Sequence, residues 1–206
     1  MMKLICLLLA ATTVFAAKTS DITWLLHFDG TRSPQAQGWQ PVGAASASAT
    51  VVEGALRIRD TSTTEAAGFR ASWTPDPARE LVIEARARVE SVSAGEGRLR
   101  IGQSEGAPAA LWIGNGRFQE GLVLRPDRIT NFLDRVVKMD ARKKFHTYRL
   151  EILGNDMKVF VDGELKMRGE GAFWKAATSP EGFVQFGSTS APYLGESHWA
   201  SIRLGI

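Results

Sequence analysis

The chain has 206 residues, with 25 Lys and Arg against 22 Asp and Glu, a formal charge of +3. That charge is too small to point to a nucleic-acid partner. The hydrophobic share of 44% is ordinary for a globular domain.

In chain order, the first feature is a leader. Met1-Met2-Lys3 is a short positive start, Leu4 to Phe15 is apolar and uncharged, and Val14-Phe15-Ala16 carries the residue sizes a signal peptidase reads. The run is too short to span a bilayer and lacks a stop-transfer flank, so residues 1–17 are expected to be a signal peptide, cut after Ala16 or Ala17. Cys6 lies inside the apolar run rather than after it, which disfavours a lipoprotein. Residues 18–206 then hold no cysteine and must be held by their core, for which the length is ample. Losing Lys3 leaves +2, and no second membrane-spanning run follows. None of Asn115, Asn131 and Asn155 sits in a glycosylation sequon, and together these features favour a bacterial exported protein, periplasmic or extracellular.

From about Thr23 to Ile206 a single domain is expected. Short strand-like runs recur between Gly, Pro, Asp and Asn: TWLLHF, ATVVEGALRIR, AGFRASW, ELVIEARARVE, GRLRIGQ, AALWIG, EGLVLR, RITNF, FHTYRLEIL, MKVFVDG, GFVQFG and HWASIRLG. Only Asn131 to Met139 has helix-like spacing, and its strand-like neighbours make it a strand or short turn. Many short alternating strands mean an antiparallel sandwich.

Period-two alternation assigns faces. Leu81, Ile83, Ala85, Ala87 and Val89 share one side of their strand; Val82, Glu84, Arg86, Arg88 and Glu90 share the other, which is too charged to be core. Arg98 and Arg100 against Leu99 and Ile101 repeat the pattern. Arg149 and Glu151 likewise face away from Tyr148, Leu150 and Ile152. Met157, Val159 and Val161 follow after a Gly154-Asn155-Asp156 turn, and Asp162-Gly163 turns the chain again. At the end, Trp199, Ser201 and Arg203 alternate with Ala200, Ile202 and Leu204.

The hairpin from His146 to Arg168 resembles the "W/F-H-x-x-x-L … G … L-Y-V-D-G" hairpin of concanavalin A-like, laminin-G-like jelly rolls. The likeness extends along the chain. LLHFDGTRSPQAQGW is similar to their opening strand, Thr50 to Ile58 to the hairpin that follows, Leu81 to Val89 to a later strand, and Phe183–Gly187 with His198–Leu204 to the closing pair. The resemblance implies an all-β, concanavalin A-like antiparallel β-sandwich, a jelly roll, of a kind found in secreted bacterial proteins linked to polysaccharides and sialidase-type glycosidases.

Two departures bear on function. Many relatives hold a structural calcium with an acidic residue in the closing strand, and Ala200 stands there instead. One ligand is thereby lost, so no cofactor is assigned and the expectation of a structural calcium is weakened; Asp29 could still contribute to one, while Asp29-Gly30 reads more simply as a turn. Laminarinase-type hydrolases carry paired carboxylates as E-x-D-x-x-E or E-x-D-x-E on one strand. The nearest run here has Glu84 and Glu90 roughly 20 Å apart along a strand. Arg86 and Arg88 lie between them as expected ion-pair partners, so no catalytic residue is assigned.

His27, His146 and His198 lack zinc-ligand spacing, the serines lack a G-x-S-x-G elbow, and Gly114-Asn115-Gly116 and Gly95-Glu96-Gly97 read as hairpin turns. His146 is expected to cap or pack. Among six tryptophans, Trp24, Trp39 and Trp199 read as packing. Trp73, Trp112 and Trp174 lie near strand ends or loops and are candidate sugar platforms, because sugar C–H groups stack on π faces. Arg86, Arg88 and Arg149 form a second candidate, suited to carboxylate or sulfate groups of acidic glycans; its plain alternative is a solvated sheet face. The expected function is an exported, non-catalytic carbohydrate-recognition or surface-interaction domain with a glycan or polysaccharide partner. A polysaccharide-degrading hydrolase or lyase with a non-standard site, and a structural envelope protein, are the alternatives. Mass spectrometry of protein from the native host's exported fraction should give an N-terminus at Ala17 or Lys18; an intact Met1 there would contradict the leader.

Overall fold

The computed structural model describes residues 22–76, 78–94, 109–131, 135–189 and 193–206. The run GRLRIGQ, the Gly95-Glu96-Gly97 turn and the leader lie outside the described residues. In chain order the strands are β1 (Trp24–Asp29), β2 (Gln40–Gly43), β3 (Ala49–Val52), β4 (Ala55–Asp60), β5 (Ala67–Trp73), β6 (Leu81–Ala94), β7 (Ala110–Asn115) and β8 (Phe118–Arg125). They continue as β9 (Arg128–Asn131), β10 (Val136–Lys138), β11 (His146–Leu153), β12 (Asp156–Val161), β13 (Glu164–Gly169), β14 (Lys175–Ala176), β15 (Gly182–Gly187) and β16 (Tyr193–Gly205). The segment with helix-like spacing yields the strand β10, paired with β9. Among the described residues no helix is long and apolar enough to cross a membrane.

Two antiparallel sheets result. The first runs β13-β12-β11-β6-β16-β4-β3, with β1 also on β16; the second runs β10-β9-β8-β7-β15-β5-β2, with β14 also on β8. Their apolar faces meet. From the first sheet come Ile83, Ala85, Ala87, Tyr148, Leu150, Ile152 and Val159; from the second come Phe69, Leu111, Ile113, Leu122, Leu124, Val184 and Phe186. This is the concanavalin A-like sandwich the sequence predicts, with the predicted core faces of β6, β11 and β12 inward.

At one end the layers are tied by aromatic rings. The Phe186 ring on β15 lies 5.0 Å from Phe28, 5.2 Å from Trp39, 5.8 Å from Phe69 and 5.2 Å from Trp199, centre to centre. Those distances and the tilted or edge-on angles are the ones aromatic pairs favour.

The last strand corrects the face assignment. Trp199, Ile202 and Leu204 are all buried, so Trp199 does not share the wet face of Ser201 and Arg203. A bulge sets this: Trp199 pairs with Ala87, and Ser201 already pairs with Arg86, leaving Ala200 as the extra residue. The Ala200 carbonyl accepts the Gly30 amide at 2.9 Å, and a Cβ on Gly30 would stand 2.4 Å from the Trp199 carbonyl. Glycine is therefore required where β1 leaves the bulge. The Asp29 carboxylate accepts the Thr31 amide at 2.9 Å, closing the predicted turn. Asp29 is thus turned to Thr31, and Ala200 contributes no carboxylate. Among the described residues no three His, Cys, Asp or Glu side chains gather as a metal-holding group.

The His146 hairpin is clamped by Asp162. His146 Nδ1 lies 2.8 Å from its Oδ2, the Thr147 amide donates to its Oδ1 at 3.0 Å, Lys144 Nζ donates at 3.2 Å, and His146 Nε2 donates to the Asp140 carbonyl at 2.9 Å. Asp162 and Gly163 both have positive φ, 51° and 84°, as the two-residue turn between β12 and β13 demands.

Two outcomes follow for stability. Phe186→Ala should cost about 3–5 kcal/mol in urea unfolding. Thr63→Ala, on an exposed loop, should change it by about 0.5 kcal/mol or less. For Asp162, burial alone raises the pKa, but the Thr147 amide, His146 and Lys144 outweigh it and hold it at about 2, against an ordinary 3.8. A depressed folded-state value stabilises the fold fully above 3.8 and loses that contribution as pH falls toward about 2. Unfolding curves across that window should show Asp162→Asn weakening the protein at neutral pH and flattening its acid dependence; an unchanged acid slope would contradict the clamp.

Candidate functional site

The sandwich puts the two predicted ligand-binding groups on opposite outer faces. Arg86, Arg88 and Arg149 stand on the first sheet, and Trp112 stands on the second.

On the first sheet Arg149, Arg203 and Arg88 are occupied by carboxylates. Arg149 donates to Glu84 at 2.7 Å and to Glu151 at 2.9 Å, and Lys158 Nζ lies 3.6 Å from Glu151. Arg203 donates to the other Glu84 oxygen, with its Nε at 2.8 Å, while its guanidinium lies 4.0 Å from the centre of the Trp24 ring. Burial raises the Glu84 pKa, but hydrogen bonds and charge from Arg203 and Arg149 prevail and lower it. A carboxyl held ionised in this way is a poor general acid, since that role needs a raised pKa. The expected pairing of Glu90 with Arg88 is present at 2.7 Å. The expected pairing of Glu84 with Arg86 is not, because cross-strand neighbours reach Glu84 first. Arg86 and Arg88 instead flank Phe145, 5.0 and 5.3 Å from its ring centre.

The second sheet's outer face follows from parity. Phe69, Ala71, Val184, Phe186, Leu111, Ile113, Leu122 and Leu124 point inward, so Arg70, Ser72, Phe183, Gln185, Trp112, Gln119 and Gly121 point outward. Register lines them up: Arg70 pairs with Gln185, Gln185 with Trp112, and Trp112 with Gly121. In the next row Phe183 pairs with Gly114, Gly114 with Gln119, and Gln119 with Lys175. Arg70, Trp112, Gln119, Phe183, Gln185 and Thr189 line a hollow of about 140 Å³.

Its parts hold one another. Trp112 Nε1 donates to Gln119 Oε1 at 3.3 Å, and Gln119 Nε2 donates to the Ala176 carbonyl at 2.9 Å. Lys175 Nζ sits 5.3 Å from the Trp112 ring centre. The Arg70 guanidinium lies 3.8 Å from the Phe183 ring centre. The Phe183 ring lies over Gly114, where a Cβ would come within 2.3 Å of it. Gln185 makes no side-chain hydrogen bond among the described residues, so its amide faces the hollow open.

The other candidate tryptophans differ. Trp73 is corrected from platform to packing: its parity with Phe69 and Ala71 turns it inward, where its ring covers Gly182. The cleft beside it measures about 10 Å³, room for one water and not a sugar. Trp174 is 51% exposed and directly precedes Lys175, next to the edge strand that carries Lys175. A recess of about 180 Å³ at the hairpin tips is lined by Asn115, Arg117, Phe118, Gly154 and Asn155. Its aromatic residue, Phe118, is partly buried against the core with Arg117 5.1 Å from its ring centre, and Asn115 is already bonded to Gly154, Arg117 and Phe118.

Among the described residues, Glu120 is the single carboxylate on the second sheet's strands. It points inward, 1% exposed, with Oε1 accepting the Gly121 amide at 3.0 Å. Sequence reasoning had found Trp112 but missed Arg70, Gln119, Phe183, Gln185 and Lys175. Their parity within AGFRASW, FQEGLVLR and GFVQFG was readable, but which strands lie side by side was not.

No protein-family model matches the chain, and no curated protein sequence does. Solved structures match in fold. An endo-beta-1,3-glucanase from Pyrococcus furiosus superposes with a TM-score of 0.57 at 13% identity, over 89% of this chain and 94% of that one. A laminarinase from Flavobacterium sp. UMI-01 gives 0.55 at 13% identity, over 89% and 100%. The carbohydrate recognition domain of Emp46p, in a potassium-bound form, gives 0.51 at 13% identity, over 88% and 98%. The chain has the concanavalin A-like jelly-roll fold. Fold alone does not assign chemistry.

Proposed function

We propose that this protein is an exported, non-catalytic carbohydrate-recognition domain that binds a glycan on the outer face of its second sheet. The observation that carries this is the hollow around Trp112. An aromatic ring held by Gln119 offers a stacking surface, the open amide of Gln185 offers a planar hydrogen-bond partner for hydroxyls, and among the described residues none lining the hollow is a carboxylate. Retaining hydrolysis needs two carboxyl groups about 5–5.5 Å apart and inversion about 6.5–9.5 Å apart across the scissile bond. The described residues of this face supply none. That glucanases and a carbohydrate recognition domain share the fold agrees with a sugar ligand.

Calorimetric titration of glycans selected on an array tests this. Trp112→Ala should weaken the best ligand by about 2 kcal/mol or more, the scale of a buried aromatic anchor. Trp73→Ala, on the inner side, should change affinity for folded protein little. Release of reducing ends from laminarin by the purified protein would overturn the non-catalytic assignment.

A further inference from the structure

The two outer faces carry their positive charges differently. On the first sheet, Arg149, Arg203, Arg88, Arg59, Lys158 and Lys166 each lie within ion-pair distance of a glutamate, while Arg86 lies over Phe145. On the second sheet, Arg70 and Lys175 make no ion pair among the described residues. Arg70 lies over Phe183, and Lys175 lies over Trp112. The charges therefore rest on the two aromatic rings that bracket the hollow, and both rings leave the cations' hydrogen-bond donors available.

Resting on the recognition reading above, we propose that the ligand of this face is an anionic glycan, with its carboxylate or sulfate held by Arg70 and a ring stacked at Trp112 beside Lys175. A guanidinium presents a planar fork that binds either group through two parallel bonds. Stacking on Phe183 fixes the plane of that fork before ligand arrives. Arg70 and Trp112 are separated by one strand, roughly 10 Å at the usual interstrand spacing. A single sugar ring on Trp112 does not also cover Arg70, so an extended polymer with acidic groups along it is the matching shape. The two cations lie on opposite sides of Trp112, Arg70 across β15 and β5 and Lys175 across β8 and β14. A polyanion crossing the strands meets charge, aromatic ring and charge in order. No carboxylate on the described part of the face repels it.

The test compares polygalacturonate, a sulfated galactan and neutral laminarin, each at low and at physiological ionic strength. At low salt at least one anionic polymer should bind about tenfold or more tighter than laminarin, the scale of one charge-assisted hydrogen bond. That advantage should shrink as salt rises, because exposed charges are screened. Arg70→Gln should remove most of the advantage. Lys175→Gln, on an exposed edge strand, should reduce it without touching the core. Arg86→Gln, on the opposite face, should leave it intact. Circular dichroism checks that each variant is folded. Which anionic polymer responds tells carboxylate from sulfate, and either response supports the proposal. Equal binding of laminarin and both anionic polymers, lost in Trp112→Ala, would overturn the anionic proposal and leave carbohydrate recognition standing. Anionic binding lost in Arg86→Gln but kept in Arg70→Gln would overturn the placement. Failure of all three polymers to bind would count against both.

Discussion

The contact on which the rest of this structure depends is the meeting of Phe186 with Phe28, Trp39, Phe69 and Trp199. It is the point where rings from both sheets and from the opening loop share one volume. It fixes which way β15 faces: if Phe186 and Val184 are inward, Phe183 and Gln185 are outward. Strand parity then spreads from β15 to both neighbours, because residues paired across antiparallel strands project from the same face. Trp112 is outward because it pairs with Gln185, and Arg70 is outward for the same reason. The surface hollow is in this sense a consequence of the core. Slipping β15 by one residue would place Gln185 in the sandwich and Phe186 in water.

The fold was legible to the extent that alternation is legible. The strands β6, β11 and β12 turn the predicted residues inward because each carries an unbroken two-residue pattern between clear turns. The final strand was misread because alternation assumes a regular ladder. The extra residue at Ala200 resets the phase, and no local feature of HWASIRLG marks it. The mark is distant: Gly30, whose missing side chain makes room for the bulge. Half the site was visible for a related reason. A single tryptophan can be suspected from its own strand, whereas Arg70, Gln185 and Lys175 become its neighbours only once β5, β15, β7, β8 and β14 are placed side by side. Composition pulled the other way, toward the arginines that share a strand.

Those arginines show why a count of charges misleads. Arg149 and Arg203 converge on Glu84, and Arg149 also meets Glu151, so three strands are laced by alternating charge. Each exposed pair is worth little singly, but a network orders its members and leaves fewer charges to attract a ligand. On the second face Arg70 and Lys175 are seated on aromatic rings instead of on carboxylates, as Arg86 is on the first. A ring quadrupole holds a cation weakly and does not neutralise it.

Glu120 makes the same point about catalysis. The fold is shared with proteins titled as glucanases, and this chain does place a carboxylate on β8 beneath the hollow. That carboxylate shares its face with Leu122 and Leu124 and pairs with Ile113. To bring Glu120 to the surface, β8 would have to turn both leucines into solvent, at about 1.5–3 kcal/mol for each side chain. The outward positions beside it are Gln119 and Gly121, an amide and no side chain. An amide can accept and donate hydrogen bonds to a sugar hydroxyl but has no proton to exchange near neutral pH. On this strand the parity of the one acidic residue is set from the inside by two leucines.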